Sequence, residues 1–224
     1  MAAIQSVTAL IVNYRTLDLT RRCLESLRVH YPTVKVLLID NGSDDESSEY
    51  IAGAAAGHSN ISCILNKVNR FHGPALDQGI RHCRTRLVLT LDSDNEIRQG
   101  VFLEAMAARF DREAALYAVG KKVLLDPFGY ESGRQGRFYF PYIRPCCMLL
   151  DREKYLQLRP FIHHGSPGIH NMKQAQRQGY PLGDFPIYEY IYHQGRGTCG
   201  RYGYGLGRRH SIENILHQIL SRFL

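Results

Sequence analysis

No apolar run in this chain approaches the ~20 residues that a membrane-spanning helix needs. The first residues, Met1-Ala2-Ala3-Ile4-Gln5, lack the basic-then-apolar layout of a secretory leader. A cytoplasmic protein is therefore expected, with contact at a membrane surface as the one membrane role left open. The six cysteines (Cys23, Cys63, Cys83, Cys146, Cys147 and Cys199) include no C-x-x-C pair. That spacing argues against a zinc site, and the apolar positions of several of them read as reduced core thiols. There is no internal repeat and no low-complexity linker, so 224 residues are expected to form one domain around one sizeable core. Acidic residues are the scarcer sign, 21 against 28 basic, for a formal charge of +7. A basic balance suits phosphate-bearing ligands, anionic membranes or nucleic acid. Much of it lies late, in Arg196, Arg201, Arg208 and Arg209.

What the chain does contain is organised around Leu87-Val88-Leu89-Thr90-Leu91, followed by Asp92-Ser93-Asp94-Asn95-Glu96. A short apolar run without alternation reads as a strand buried on both faces. Ligands of α/β sheets bind beyond the carboxyl ends of such strands. Two carboxylates one residue apart at that end suit a hard divalent cation that also holds phosphate oxygens. Asp and Asn also end strands because they make turns, so the pair alone does not decide.

The flanking pattern repeats this alternation. Val7 to Tyr14 reads as a strand and Leu17 to His30 as a helix with Asp18 as its cap. Val34 to Ile39 is a second strand, and Ser43-Asp44-Asp45-Glu46 a capping box for the next helix. Ile61 to Leu65 is a third strand. Pro74 falls in the first turn of a helix carrying Leu76, Ile80 and Cys83. Val101 to Phe110 is a fourth helix. Four strand–helix alternations with short connections predict an α/β fold: a mostly parallel, Rossmann-like sheet with helices on both faces. Beyond about residue 115 the pattern turns mixed. Strands are expected at Ala115 to Leu125, Arg137 to Phe140, Cys147 to Leu150 and Pro186 to His193. A helix is expected at His170 to Gln178, closed by Gly179, and an amphipathic one from Ile212 to Phe223.

Four stretches stand in one order: Val12-Asn13-Tyr14-Arg15, Ile39-Asp40-Asn41-Gly42-Ser43-Asp44-Asp45, Asn66 to Gly79, and Leu91-Asp92-Ser93-Asp94. Together they resemble the nucleotide-binding half of family 2 glycosyltransferases, the inverting enzymes of the GT-A fold. The resemblance covers about residues 5 to 110 and resumes from Gly179-Tyr180 to Tyr192-His193-Gln194-Gly195. It implies a single GT-A domain over 1–224, with a nucleotide-sugar half at 1–112, an acceptor-side half at 113–210 and a C-terminal helix at 211–224. It also implies a metal-dependent transferase. Such an enzyme moves a sugar from a nucleoside diphosphate donor, a UDP-sugar by preference, to an acceptor hydroxyl with inversion. The acceptor class (glycan, lipid-linked, protein or small molecule) stays open, and no nucleic acid is expected. By the same resemblance, Asp40 receives the donor's base, and Asn13, Tyr14 and Arg15 cradle base and ribose. Asn66 and Arg70 line the nucleotide pocket. Asp92 and Ser93 face ribose and metal, while Asp94, with Asp92, ligates Mn²⁺ or Mg²⁺. His193 completes the metal shell. Each has a plainer reading beside it: a turn cap for Asp40, a solvated side chain for Arg70, a core histidine for His193.

One departure matters. An inverting enzyme needs a base for the acceptor hydroxyl, and the family places an acidic residue just before Gly-Tyr's helix. Here His163-His164-Gly165-Ser166 stands there, and no carboxylate occurs between Glu153 and Asp184. His164 is the expected base, with Asp184 or Glu189 as the carboxylates that replace it otherwise. A nucleotide-sugar-binding pseudoenzyme and a nucleotidyltransferase are the competing readings. The latter should carry a Gly-rich loop after the first strand, and Asn13-Tyr14-Arg15-Thr16-Leu17 has none.

Overall fold

The computed structural model describes residues 2–127, 129–133, 136, 138–162 and 166–195. In chain order the elements are α1 (Ala2–Gln5), β1 (Val7–Asn13), α2 (Leu17–His30), β2 (Lys35–Asp40), α3 (Ser47–Gly57), β3 (Ile61–Leu65), α4 (His72–His82) and β4 (Leu87–Asp92). They continue with β5 (Asn95–Ile97), α5 (Phe102–Arg112), β6 (Ala118–Leu125), β7 (Phe140–Asp151), α6 (Arg152–Leu156), α7 (Ile169–Arg177), β8 (Leu182–Asp184), a 3₁₀ turn (Ile187–Glu189) and β9 (Ile191–His193). The sheet runs β3-β2-β1-β4-β7-β6-β8. Its first four strands are parallel, as the alternation of strands and helices requires. β7 is antiparallel to both neighbours, and β8 is parallel to β6.

β1 is buried along its whole length, which is why it reads as an unbroken apolar run. Successive side chains feed opposite cores. Val7, Ala9 and Ile11 pack with α2 and α5, while Leu10 and Val12 pack with α4 and residues of α7. Strand order reverses at β1, so the carboxyl ends of β1 and β4 flank the topological switch point where such sheets open a crevice. No helix among the described residues is long and apolar enough to cross a membrane. The described cysteines are free thiols, four of them buried.

Several expectations need correction. The strand expected at 147–150 is the end of a twelve-residue strand, β7, which begins at Phe140, the last residue of the strand expected at 137–140. Pro141 and Pro145 disguise it; Pro145 falls in the break of pairing opposite Gly120 and Lys122, where a strand tolerates proline, and Pro141 pairs with Leu124 near the start of the strand. Pro186 to His193 is a 3₁₀ turn followed by the short β9, which leaves the main sheet and pairs with β5. Asp18 lies in the first turn of α2, and the cap position is Thr16. Ser43 caps nothing: α3 starts at Ser47, and Ser43 is occupied at the strand ends. Gly179 does close α7 at φ 80°, with Tyr180 N–H to Ala175 O and Gly179 N–H to Gln176 O, the two bonds of a Schellman motif. The helix expected at Ile212 to Phe223 lies outside the described residues.

A Cβ at Gly120 would sit 2.8 Å from the Cys147 carbonyl oxygen and 2.8 Å from Ile143 Cγ2. The β6–β7 contact therefore needs glycine. Gly120→Ala should lower unfolding free energy by about 1–3 kcal/mol. Urea denaturation should read this as a lower midpoint at unchanged slope; an unchanged midpoint would show that the strands have room to part.

Candidate active site

β4 delivers Asp92 to the crevice, and the turn Asp92-Ser93-Asp94 passes directly into β5. Asn95 fixes that turn. It is buried, and its Nδ2 donates to the carbonyls of Asp92 (2.9 Å) and Cys146 (2.7 Å). Antiparallel pairing of Asn95 with His193 brings β9 alongside. His193 Nε2 then lies 3.1 Å from Asp94 Oδ1 and 3.8 Å from Asp92 Oδ2. His72, the first residue of α4, approaches from the other side, with Nε2 3.6 Å from Asp92 Oδ1.

Asp92, Asp94 and His193 each offer one ligand atom, and these atoms all lie within 4.8 Å of one another. Burial pushes the Asp92 carboxyl above the usual range, against the pull of His72, and Asp94 adds to the rise. Burial would lower His193, but its hydrogen bond to Asp94 and the charges of both aspartates more than offset this and raise it. Two carboxylate oxygens and one imidazole nitrogen, partly buried and converging, fit a divalent cation such as Mn²⁺ or Mg²⁺. Asn95 Oδ1, buried beside Asp94 in sequence, finds no donor among the described protein groups.

The ends of β1 and β2 form the other wall. Asp40 is fully buried. Its Oδ1 accepts from Asn13 Nδ2 (2.9 Å) and Ser43 Oγ (2.6 Å), and its Oδ2 from Ser43 N–H (3.2 Å) and Ser48 Oγ (2.6 Å). A carboxylate has about four lone-pair sites, so Asp40 is saturated as it stands. Asn13 is equally enclosed, its Oδ1 accepting from Thr16 and Thr20. Both residues frame the crevice more than they face it. Ser93 joins this frame through Thr16, oxygen to oxygen 3.0 Å.

The groups at the rim are others. Arg15 takes a left-handed conformation (φ 56°), pairs with Asp44 and lies over Tyr14, 5.3 Å from its ring centre. Asn66 exchanges paired bonds with Gln78 and donates to Asn41 Oδ1. Arg70 is exposed, and its backbone N–H donates to Asn41 Oδ1 (3.2 Å). Asn41 is thus the hub of this loop, and sequence reasoning passed it over as a turn residue. Beside it Gly42 is obligatory, at φ 81° with Val68 backbone 2.5 Å from a Cβ position. His72 was also missed; its place just before a helix starting His72-Gly73-Pro74 carried no chemical signal. Of the bases expected from sequence, Asp184 is not brought to this crevice. His164 lies outside the described residues. Asp184 ends β8 at the sheet edge, accepting from Lys122 N–H (2.9 Å). Three strand spacings, about 14 Å, separate it from β4.

The family model of glycosyl transferase family 2 matches residues 8–172. The chain belongs to that family. Among relatives of this family 2 chain, dolichyl-phosphate β-glucosyltransferase ALG5A of Trichomonas vaginalis is 34% identical over 62 residues, 28% of this chain and 19% of the relative. Poly-β-1,6-N-acetyl-D-glucosamine synthase of Staphylococcus epidermidis is 27% identical over 95 residues, 42% and 23%. The chain thus spans about a fifth of the length of these curated relatives. Among solved structures, the mannosyltransferase PcManGT from Pyrobaculum calidifontis, in complex with GDP-Man and Mn²⁺, superposes with a TM-score of 0.63 at 16% identity, covering 81% of this chain and 55% of that one. S. aureus TarS 1-349 does so at 0.58 and 13%, covering 84% and 60%. At such identities the likeness shows the shared GT-A architecture.

Two outcomes test this site. Mn²⁺ should raise the thermal midpoint of the parent chain, because a ligand of the native state stabilises it by mass action; in Asp94→Asn that shift should vanish. An equal shift in both proteins would remove Asp94 from the metal site. Asp40→Ala should cost about 2 kcal/mol or more in unfolding free energy, since it strands buried donors. A loss under about 1 kcal/mol would mean that those donors find other partners and that Asp40 is no frame.

Proposed function

We propose that this chain is a metal-dependent glycosyltransferase that moves a sugar from a nucleoside diphosphate donor, UDP-linked by preference, to an acceptor hydroxyl with inversion at the anomeric carbon. The observation that carries the proposal is the convergence of Asp92, Asp94 and His193 at the switch-point crevice of a family 2 chain. A divalent cation held there would neutralise the diphosphate as its bond to the sugar breaks. The bound Mn²⁺ and GDP-Man of PcManGT support a cation and a nucleotide-sugar in this fold.

The protein's own groups divide the work. Asp40, Asn13 and Ser43 hold the ends of β1 and β2 at fixed spacing, so base and ribose meet a rigid floor. Asn41 holds the 66–71 segment over it, which positions Asn66 and Arg70 at the nucleotide's edge. Arg70 can then meet a phosphate with a planar, two-pronged donor. His72 stands beside Asp92 and would offer a helix-borne donor to a diphosphate held there. The names of the relatives point to glucosyl, N-acetylglucosaminyl or mannosyl transfer and to lipid-linked or glycan acceptors.

A nucleotide-sugar-binding protein without transfer is the second reading, favoured by the lack of any carboxylate between Glu153 and Asp184. One experiment addresses both. UDP, GDP and dTDP are titrated with and without Mn²⁺ while the thermal midpoint is followed, and free nucleoside diphosphate is then assayed with UDP-glucose, UDP-N-acetylglucosamine and GDP-mannose. At a hundredfold excess over Kd, binding adds roughly 2.7 kcal/mol, or about 5–10 °C for a chain of this size. The shift should need nucleotide and Mn²⁺ together. No shift with any nucleotide refutes the donor site; a shift without nucleotide release favours the second reading.

A further inference from the structure

An attacking hydroxyl must give up its proton, and the segment before α7 offers no carboxylate for it. The fold supplies one from earlier in the chain. Glu131 is clasped by Arg144 in a two-pronged pair, Nε to Oε1 and Nη2 to Oε2. Arg144 Nη1 donates to the Tyr188 hydroxyl at 2.7 Å, and that oxygen lies 3.6 Å from Cys146 Sγ. Cys146 is the β7 residue whose carbonyl receives Asn95, the neighbour of Asp94. Leu91 pairs with Cys147, so β7 runs past the end of β4 with Arg144 on the crevice side. Strand spacings put the Arg144 backbone about 8 Å from that of Asp92.

Glu131 is also held firmly. It bridges to Leu125 at the end of β6, and Ser132 N–H donates to Leu124 O. Asp126 closes the intervening turn by accepting from Tyr130 N–H (3.0 Å), with Gly129 at φ 89°. Ser166 Oγ donates to Gly129 O (3.1 Å), and Ile169 Cδ1 lies 2.6 Å from a Cβ position at Gly129. The turn that carries Glu131 is therefore packed on the start of α7. The Glu131 carboxylate is exposed, at 39%, and open to an incoming hydroxyl. Arg144 uses two of the carboxylate's four lone-pair sites and leaves two for a hydroxyl.

We infer that Glu131 is the acceptor-side base, aimed by Arg144; the inference rests on the transferase reading above. The acceptor oxygen attacks the anomeric carbon while its proton passes to a Glu131 carboxylate oxygen. The bond from that carbon to the diphosphate breaks, and its electron pair leaves on the diphosphate oxygen. Glu131 then returns the proton to water.

The test uses the full chain and Glu131→Ala, Glu131→Gln and His164→Ala variants. The Mn²⁺-dependent nucleotide shift reports the donor side. Nucleoside diphosphate release from the three donors, with water as acceptor, reports the chemistry. Sodium azide is then added, an anionic nucleophile with no proton to lose. Both Glu131 variants should keep the shift and lose ~10²-fold or more in release. Azide should restore Glu131→Ala, which leaves it space, with a glycosyl azide as product, and should not restore Glu131→Gln. Parental release from either Glu131 variant, failure of azide to restore Glu131→Ala, or loss of the nucleotide shift in both variants overturns the assignment. So does loss in His164→Ala with rescue there instead. If the parent releases nothing from any donor, it is the transferase reading that falls, and the base assignment with it.

Discussion

The site depends on keeping two carboxylates, Asp92 and Asp94, at one end of a buried strand, although like charges repel. The side chain that does this is Asn95. Its amide ties the Asp92 carbonyl to the Cys146 carbonyl on the neighbouring antiparallel strand. Its backbone pairs with His193. One residue thus joins β4, β7 and β9 at the mouth of the crevice. In the absence of a cation, His193 and His72 answer part of the repulsion. Burial nonetheless keeps Asp92 harder to ionise than a surface carboxylate. A divalent ion would relieve both costs at once. The thiol of Cys23, behind the turn and 3.6 Å from the Asp92 carbonyl, is pushed the same way, up, first by burial and then by the two aspartates, and stays an inert packing group.

The wall opposite works by a different constraint. Every oxygen of Asp40 and every side-chain polar atom of Asn13 is committed to a neighbour. Such a network rigidifies when it is fully satisfied and fails badly when it is not. What it supplies is the fixed spacing of two strand ends and of the loops they launch. Asp40 could reach a ligand only by exchanging one of its present donors, so the groups open to the crevice are those of the loops around it.

The donor half was legible because its logic is local. Continuous apolar runs marked β1, β2 and β4, and the order of four strand-end motifs pointed to the crevice. The acceptor half was less legible because its logic is long-range. β7 carries two prolines, of which a bulge accommodates Pro145, and β9 is too short to show a period. Asn95 looks like any turn residue until its partners across β7 and β9 are known. Glu131 lies outside every motif, since its meaning comes from Arg144 thirteen positions later and from the packing of its turn on α7. Asp184 invited notice for the opposite reason: it was near the right motif in sequence, yet the sheet order carries it to the far edge.

Backbone strain falls in a pattern that supports the division between frame and rim. Among the described residues, three non-glycine positions have positive φ: Arg15, Phe71 and Val101. Two of them border the crevice, at the exits of β1 and of the loop after β3. A bulky residue at φ 66° such as Phe71 persists only if its surroundings impose it. Here Asn69 Oδ1 takes the Phe71 N–H (2.7 Å), and Asn41 Nδ2 reaches toward the Phe71 carbonyl (3.4 Å). The clamp starts α4 where His72 faces Asp92, and leaves Phe71 exposed at the rim. The buried network of the β1 and β2 ends therefore extends its control, through Asn41, to the one helix whose first residue touches the metal-side carboxylate. Donor wall and candidate metal site are thus coupled by hydrogen bonds through Asn41, although no motif in the chain links them.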